Sequence, residues 1–340
     1  MRYIIIGAGA VGGTIGGRLA QSGNDVVLVA RGAHLAALQD RGLRLVTPTA
    51  VVTQTIPAAS GPEPLGELRP DDVLVLTVKS QNTAEALRDW SAAPVAGGGS
   101  AAERLPIVCA QNGVDNERTA SRLFDTVYGL CVWLPATHLE PGVVVSHTVP
   151  LSGILMLGRY PGGVDPVVEQ ISADLSRSVF DAPVVDDVMR WKYGKLLKNL
   201  ANALDALLGP AGARHADVVA DIRRAVQAEG EAVLEAAGIA YNSDEERRAL
   251  QGNRMEFRDI PGAPRGGGST WQSLTRGASS VEADYLNGEV ALLGRLHGVA
   301  TPVNILLQRL VGAAARARRT PGDVPAEDLQ ALLSVAAAGS

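Results

Sequence analysis

The chain's opening residues leave few folds open to it. Tyr3-Ile4-Ile5-Ile6 is an apolar run of strand length, and Gly7-Ala8-Gly9-Ala10-Val11-Gly12 follows at once. Val11–Gln21 then carries a helical pattern. Glycines spaced G-x-G-x-x-G between strand and helix meet three demands: a tight turn, close approach of backbone to a pyrophosphate, and close helix–strand packing. The helix that begins there offers unpaired N–H groups and the positive end of its dipole. Taken alone the spacing describes any glycine-rich turn; its strand–turn–helix setting makes it a candidate dinucleotide site.

Asp25–Ala30 (DVVLVA), Val73–Val78 (VLVLTV), Leu105–Ala110 and Thr126–Trp133 read as further buried strands, several of them separated by helical stretches. Short, continuously apolar strands alternating with helices predict a parallel sheet covered on both faces. Val143–Gly158 reads as strands that finish this sheet, with antiparallel pairing among the options. From Val188 the pattern turns helical almost to the end, interrupted by a loop over 260–268 (IPGAPRGGG). The expected class is α/β: an N-terminal Rossmann-like doubly wound sheet followed by an all-helical C-terminal domain. At 340 residues the chain exceeds what one core ordinarily serves, and the expected domains are 1–183 and 184–335.

Composition narrows the function. Net charge is −5, from 31 basic and 36 acidic residues without a block of like charge, which argues against nucleic acid or an anionic membrane surface as partner. No apolar run approaches the roughly 18–20 residues needed to cross a bilayer. The first residues lack a secretory pattern, so the expected location is the cytoplasm. The expected partner is a small molecule, with a homodimer an open option. Cys109 and Cys131 lie inside apolar strands and read as buried free thiols. His34, His138, His147, His215 and His297 are scattered without partners at ligand spacing, so no metal site is expected.

The end of the second strand bears on the choice of cofactor. NAD sites place an Asp or Glu about 20 residues past the glycines, on the ribose 2′-hydroxyl. This chain has Val29-Ala30-Arg31-Gly32 there instead. An arginine suits a 2′-phosphate, although an ordinary exposed strand-end arginine is the plain alternative. Absence of the acid together with Arg31 favours NADP. Lys79 and Asn112-Gly113 also follow inner strands, at the carboxyl ends where ligands of open α/β sheets bind. Turn chemistry explains each of them equally well.

A second constellation lies in the C-terminal half. Within Trp191–Leu204, Lys195, Asn199 and Asn202 stand at i, i+4 and i+7, one face of a helix. They flank the apolar stripe Leu196, Leu200, Ala203 and Leu207. Mid-helix asparagines carry a propensity cost that a binding role would explain, while a solvated Lys/Asn edge is the plain alternative. Further on, Ser279-x-x-Glu282 has the form of a capping box, and Glu282 also continues an inward stripe through Tyr285, Leu286, Glu289, Leu292, Leu293 and Leu296. Gly266–Ser273 offers glycine flexibility and the hydroxyls of Ser269 and Thr270; a flexible surface loop is the plain alternative.

Together, and to about Leu310, these residues resemble the ketopantoate reductase family. The family pattern is a glycine fingerprint, a Lys after one inner strand and Asn-Gly after the next. A Lys-Leu-x-x-Asn helix, a Ser-rich loop and Glu-x-Asp-x-x-Asn-Gly follow. The chain supplies Gly7/Gly9/Gly12, Lys79, Asn112-Gly113, Lys195-Leu196-x-x-Asn199 and Glu282-Ala283-Asp284-Tyr285-Leu286-Asn287-Gly288 in that order. Thr137-His138 resembles a turn of the same family.

The resemblance implies NADPH-dependent reduction of 2-dehydropantoate to pantoate. It makes Lys195 the catalytic acid, with Glu282 orienting that lysine or the nicotinamide end of the cofactor. Gly7, Ala8, Gly9, Ala10, Val11 and Gly12 would line the phosphates, and Arg31 and Lys79 the adenosine end. Asn112 would sit by the nicotinamide ribose and substrate, with Asn199, Asn202, Ser269 and Thr270 holding the substrate. Two departures concern the substrate. Asn202 lies seven residues after Lys195 where the pattern more often has eight, and Thr270 replaces a serine. They leave open another branched 2-keto or 2-hydroxy acid on the same scaffold. A non-catalytic NADP-binding sensor predicts loss of Lys195 or Glu282, and both are present.

Overall fold

A computed structural model describes residues 1–209, 216–263, 266–323 and Asp328, Ala331, Leu332, Ser334 and Val335; His215 lies outside the described residues. The chain divides into two compact units, Met1–Lys192 with Ser243–Arg265, and Tyr193–Asn242 with Gly266–Ser340. The sequence boundary at 183/184 lies in the connection before α7, whereas the units part inside that helix.

The first unit runs β1 (Arg2–Ile6), α1 (Ala10–Gln21), β2 (Asp25–Val29), α2 (Gly32–Arg41), β3 (Leu43–Val46), β4 (Val51–Gln54) and β5 (Ala58–Ala59). It continues with β6 (Asp72–Leu76), α3 (Thr83–Ser91), α4 (Ala101–Arg104), β7 (Ile107–Cys109), α5 (Asn116–Ala120) and β8 (Val127–Trp133). Next come β9 (Ala136–Thr137), β10 (Val143–Ser146), β11 (Thr148–Pro150), β12 (Gly153–Arg159), α6 (Pro166–Arg177), β13 (Phe180–Asp181) and α7 (Val188–Asn199).

Eight strands form the main sheet in the order β13-β12-β8-β7-β6-β1-β2-β5, parallel from β8 to β5. Alternate residues enter separate cores: Tyr3, Ile5, Val26, Leu28, Val73 and Val75 on one face, Ile4, Ile6, Val27, Val29, Leu74 and Leu76 on the other. Burial on both faces is why these strands read as continuous apolar runs rather than alternating ones.

Of Val143–Gly158, only β12 joins this sheet, antiparallel to β8. β10 belongs to a second sheet, β4-β3-β10-β9, whose short strands carry too little pattern to be read beforehand. α1 runs between the two sheets on paired glycines. A Cβ on Gly12 or Gly16 would strike Ile5, and one on Gly16 also Leu28, in the main sheet. A Cβ on Gly13 would meet Val144 at 2.7 Å, and one on Gly17 would meet Leu43 at 3.0 Å, both in the second sheet. The glycine run thus serves close packing on both sides of the helix.

The C-terminal half is not helical throughout. After α8 (Asn202–Leu208) and α9 (Ala216–Ala236), the chain returns to the first unit as α10 (Asp244–Gln251) and β14 (Met255–Phe257). β14 pairs antiparallel with β11, Phe257 opposite Thr148. Leu250 and Met255 pack against Cys131, Ile154 and Met156. Arg190 Nη2 reaches both Glu246 carboxylate oxygens at 2.7 Å. A three-residue strand whose partner lies far upstream leaves no periodic signal.

In the second unit, α11 (Ser269–Thr275), a 3₁₀ turn (Glu282–Tyr285), α12 (Asn287–His297) and α13 (Pro302–Arg316) follow. The buried face of α12 is Asn287, Val290, Ala291 and Gly294. Leu292 and Leu296 are 44% and 68% exposed, so the expected inward stripe does not extend along this helix. The 3₁₀ turn shifts the helical phase between Glu282 and Asn287, which a uniform period cannot anticipate. Among the described residues no helix is long and apolar enough to cross a membrane. Cys109 and Cys131 are not joined in a disulfide, and both are buried.

Candidate active site

The glycine turn is stapled to strands on either side of β1. Gly7 N and Ala8 N donate to Val29 O at 3.1 and 2.9 Å, and Thr77 Oγ1 donates to Gly7 O at 2.7 Å. Gly7 has φ +108°, and a Cβ on it would lie 2.8 Å from Val78 N. A Cβ on Gly12 would lie 2.2 Å from Gly7 O and 2.4 Å from Thr77 Oγ1. The fold itself therefore demands these two glycines. Gly9 differs: a Cβ built there meets nothing within 4 Å. No described residue crowds that position, and a phosphate approaching the backbone would call for a glycine there. Ala10, Val11 and Gly12 form the first turn of α1, whose N–H groups have no intrahelical acceptors and no side-chain cap at Gly9. The strand order reverses here, with β1 between β2 and β6, where ligands of such sheets bind.

Arg31 caps α2 and is exposed, paired with Glu85 at 2.8 Å and Asp89 at 3.4 Å. Exposed pairs of this kind are worth about 0–1 kcal/mol, so a 2′-phosphate could recruit the guanidinium at little cost. Lys79 is half-buried at the head of the 3₁₀ turn Ser80–Asn82. Asn112 is drawn to the same place, its carbonyl accepting from Ser80 Oγ at 3.3 Å and Asn116 Nδ2 at 2.9 Å. Behind them Gln111 Nε2 donates to Val78 O and Thr83 Oγ1, and Thr83 Oγ1 to Asn116 Oδ1, each at 2.8 Å. This buried network holds the loops after β6 and β7 in register. Sequence reasoning missed it, because polar residues after a strand look the same whether buried or solvated.

Sequence reasoning also missed the ion pair between Lys192 and Glu117, 2% and 0% exposed. Burial pushes the Glu117 carboxyl up, and the Lys192 ammonium opposes that shift. Burial likewise pushes the Cys109 thiol well up, consistent with an inert thiol.

In the second unit the expected single helix is broken. α7 ends at Asn199 and α8 starts at Asn202, with a turn over Leu200 and Ala201. Lys195 and Asn199 stand one helical turn apart on α7, while Asn202 opens the next helix. The interruption is satisfied from elsewhere: Asn287 Nδ2 donates to Leu200 O and to Asn304 Oδ1, both at 3.0 Å. Asn304 Nδ2 donates to Glu229 Oε2 at 2.8 Å. Neither Gly nor Pro marks the break, so the local sequence does not announce it. Asn199 Nδ2 is buried without a hydrogen-bond partner among the described residues. A buried orphan donor is costly unless a ligand oxygen meets it.

Glu282 is buried in the 3₁₀ turn, and Ser269 Oγ donates to its Oε2 at 3.1 Å. Val281 caps that turn and α12 starts only at Asn287, so the capping-box account of Glu282 does not hold. Thr270 is buried beside Ser269. A Cβ on Gly268 would lie 3.2 Å from Asn202 Oδ1, which puts Asn202 against the same loop. Cβ atoms on Gly266 and Gly267 would strike the Trp271 side chain at 2.5 and 2.4 Å. These glycines make room for the indole rather than provide a flexible hinge. The first unit thus carries Gly7–Gly12, Arg31, Lys79 and Asn112, and the second carries Lys195, Asn199, Asn202, Ser269, Thr270 and Glu282. Among the described residues no cluster of three or more His, Cys, Asp or Glu suits a metal.

Two family models match the chain: "Ketopantoate reductase PanE/ApbA" over residues 3–162 and "Ketopantoate reductase PanE/ApbA C terminal" over residues 187–315. A 2-dehydropantoate 2-reductase of Pyrococcus horikoshii is 29% identical over 318 residues, covering 92% of this chain and 97% of that protein. A PanE/ApbA family ketopantoate reductase from Ralstonia eutropha superposes with TM-score 0.74 at 28% identity, covering 94% of this chain and 99% of that one. A D-mandelate dehydrogenase solved with NADH and anilino(oxo)acetate shares the fold, with TM-score 0.78 at 23% identity over 94% of this chain and 99% of its own.

Proposed function

The chain belongs to the ketopantoate reductase family, and on that premise we propose that it reduces 2-dehydropantoate to pantoate with NADPH. What carries the reading is that both parts of one family match in order, the glycine turn in the first and Lys195 in the second. In this reading the first unit holds the cofactor and the second carries catalysis. The open space at Gly9 suits a pyrophosphate, and Arg31, standing where a 2′-hydroxyl site has an acid and held only by exposed pairs with Glu85 and Asp89, suits a 2′-phosphate. NADPH supplies the hydride from C4 of its nicotinamide.

Lys195 donates a proton to the keto oxygen as negative charge gathers there. Glu282, already accepting from Ser269, orients the lysine or the nicotinamide end. Asn199 meets a substrate oxygen through its orphan Nδ2, and Asn202 and Thr270 hold the remaining polar groups. Lys79 and Asn112 serve the cofactor at the strand ends. A second reading, another branched 2-keto acid on the same site, draws on the Asn202 spacing and on Thr270.

The test is NADPH oxidation, followed by absorbance, with 2-dehydropantoate, pyruvate and 2-ketoisovalerate in parallel. Turnover with 2-dehydropantoate far above the others is expected; preference for another keto acid favours the second reading. No turnover on any of them with NADPH bound overturns both. Arg31→Ala is expected to raise KM for NADPH by about 10–100-fold, the worth of a hydrogen bond to a charged group, and to leave KM for NADH almost unchanged. Equal effects on the two cofactors would remove Arg31 from the 2′-phosphate.

A further inference from the structure

Both ring nitrogens of His34 are committed to backbone. The residue lies in the first turn of α2, half-buried, with Nε2 2.7 Å from Ala8 O in the glycine turn. Gly142 N donates to Nδ1 at 2.9 Å. With Nδ1 already accepting, Nε2 must carry the proton and donate to Ala8 O. The ring thereby ties the phosphate-facing turn to the Glu140-Pro141-Gly142 turn ahead of β10.

We propose that His34, as the neutral Nε2–H tautomer, is a positioning residue for the cofactor: it fixes the Ala8 carbonyl and so the plane of the Ala8–Gly9 peptide. The inference rests on the reading of this turn as an NADPH site. Ala8 stands between Gly7 and Gly9, the residue type least restrained in φ and ψ. The peptide plane joins Ala8 O rigidly to Gly9 N–H, which donates to Gly7 O at 2.8 Å. Were that plane to turn, the carbonyl oxygen would face the phosphates and repel them. The imidazole holds it to the other side.

Only the neutral ring can do this. A protonated imidazole donates at both nitrogens and turns Nδ1 against the Gly142 N–H. Burial holds the His34 pKa below its ordinary value, with the Ala8 bond partly offsetting the shift. The clamp is therefore intact at neutral pH and is lost as pH falls through that lowered value. The titratable group packed on the ring is His138, at 4.3 Å between centroids, with its Nδ1 2.9 Å from Val143 O. The glycine turn presents only a carbonyl. Arg31, at the head of α2, is turned to Glu85 and Asp89, and Glu140, in the adjoining turn, is exposed.

The test compares His34→Gln with His34→Phe. A glutamine amide keeps one donor and one acceptor; phenylalanine keeps neither. NADPH binding, read from nicotinamide fluorescence, is expected to weaken about tenfold in H34F and less than about threefold in H34Q, with thermal melts checking that both fold. A nitrogen-shift titration locates the His34 pKa, and below it the wild type should lose more affinity than H34Q, which still carries the titration of the 2′-phosphate near pH 6. Nitrogen shifts of His34 in the cofactor-free protein should report the Nε2–H tautomer. Wild-type affinity in H34F, equal losses in wild type and H34Q below the His34 pKa, or an Nδ1–H tautomer would each overturn the proposal. Failure of the wild type to bind NADPH would instead remove the cofactor reading and the positioning role with it, while the tautomer measurement would still judge the clamp.

Discussion

Lys195→Ala is expected to lower kcat by about 10²–10⁴-fold, the usual contribution of one positioned acid, while NADPH affinity changes by less than about threefold. The asymmetry follows from where the residue acts. Lys195 lies in the second unit, on α7 one turn before Asn199, whereas the glycine turn proposed to hold the phosphates lies in the first. In the acid role proposed for it, its ammonium matters most when charge has built up on the keto oxygen, so its loss should raise the barrier more than it weakens the ground state. Lys195→Arg keeps the charge but should remain slow, because a guanidinium does not release its proton at working pH. Steady-state kinetics with cofactor titration by fluorescence separate the two effects. A folded K195A within tenfold of wild-type kcat would take the acid role away from this residue.

Three residues earlier in the same helix a second lysine has a different task, and Lys192→Met is expected to cost about 3–5 kcal/mol of stability near pH 8. The substitution leaves the Glu117 carboxylate fully buried without its counter-charge. Its pKa, already pushed up by burial, then rises further for want of the ammonium. The folded state would hold a proton that the unfolded state releases, so the variant should gain stability as pH falls from 8 toward 5.5. Adding Glu117→Met removes the buried charge and should recover much of the loss, as apolar replacement of a buried pair often does. Urea unfolding at two pH values decides it. A single variant within 1 kcal/mol of wild type, with no gain at lower pH, would contradict the account.

Those two lysines show what was legible in the sequence and what was not. Lys195 was singled out by its spacing to Asn199, which depends only on helical geometry. Lys192 lies in the same Trp191–Leu204 stretch and shows no role there, since its partner Glu117 sits in a polar segment that looks solvated. The parallel strands were readable because burial on both faces leaves unbroken apolar runs. The second sheet was not, its strands being too short for a period to emerge. The turn at Leu200–Ala201 depends on Asn287 and Asn304 from distant helices. His34 likewise gains its meaning from Ala8 and Gly142, each remote from it or on another element. Periodicity reports that a side chain is buried, and it is silent on what the side chain meets.

The return of Ser243–Arg265 to the first unit means that neither unit corresponds to one uninterrupted stretch of the gene. Cutting the chain anywhere between α7 and α10 would yield a nucleotide-binding fragment stripped of β14. The edge of β11 would then lie open, and the apolar cluster of Cys131, Ile154 and Met156 would lose the cover of Leu250 and Met255. An open strand edge beside uncovered apolar surface is a recipe for self-association. An autonomous version of this unit has to be spliced, joining the end near Lys192 to the start near Ser243, so the helical unit behaves in part as an insertion within its neighbour.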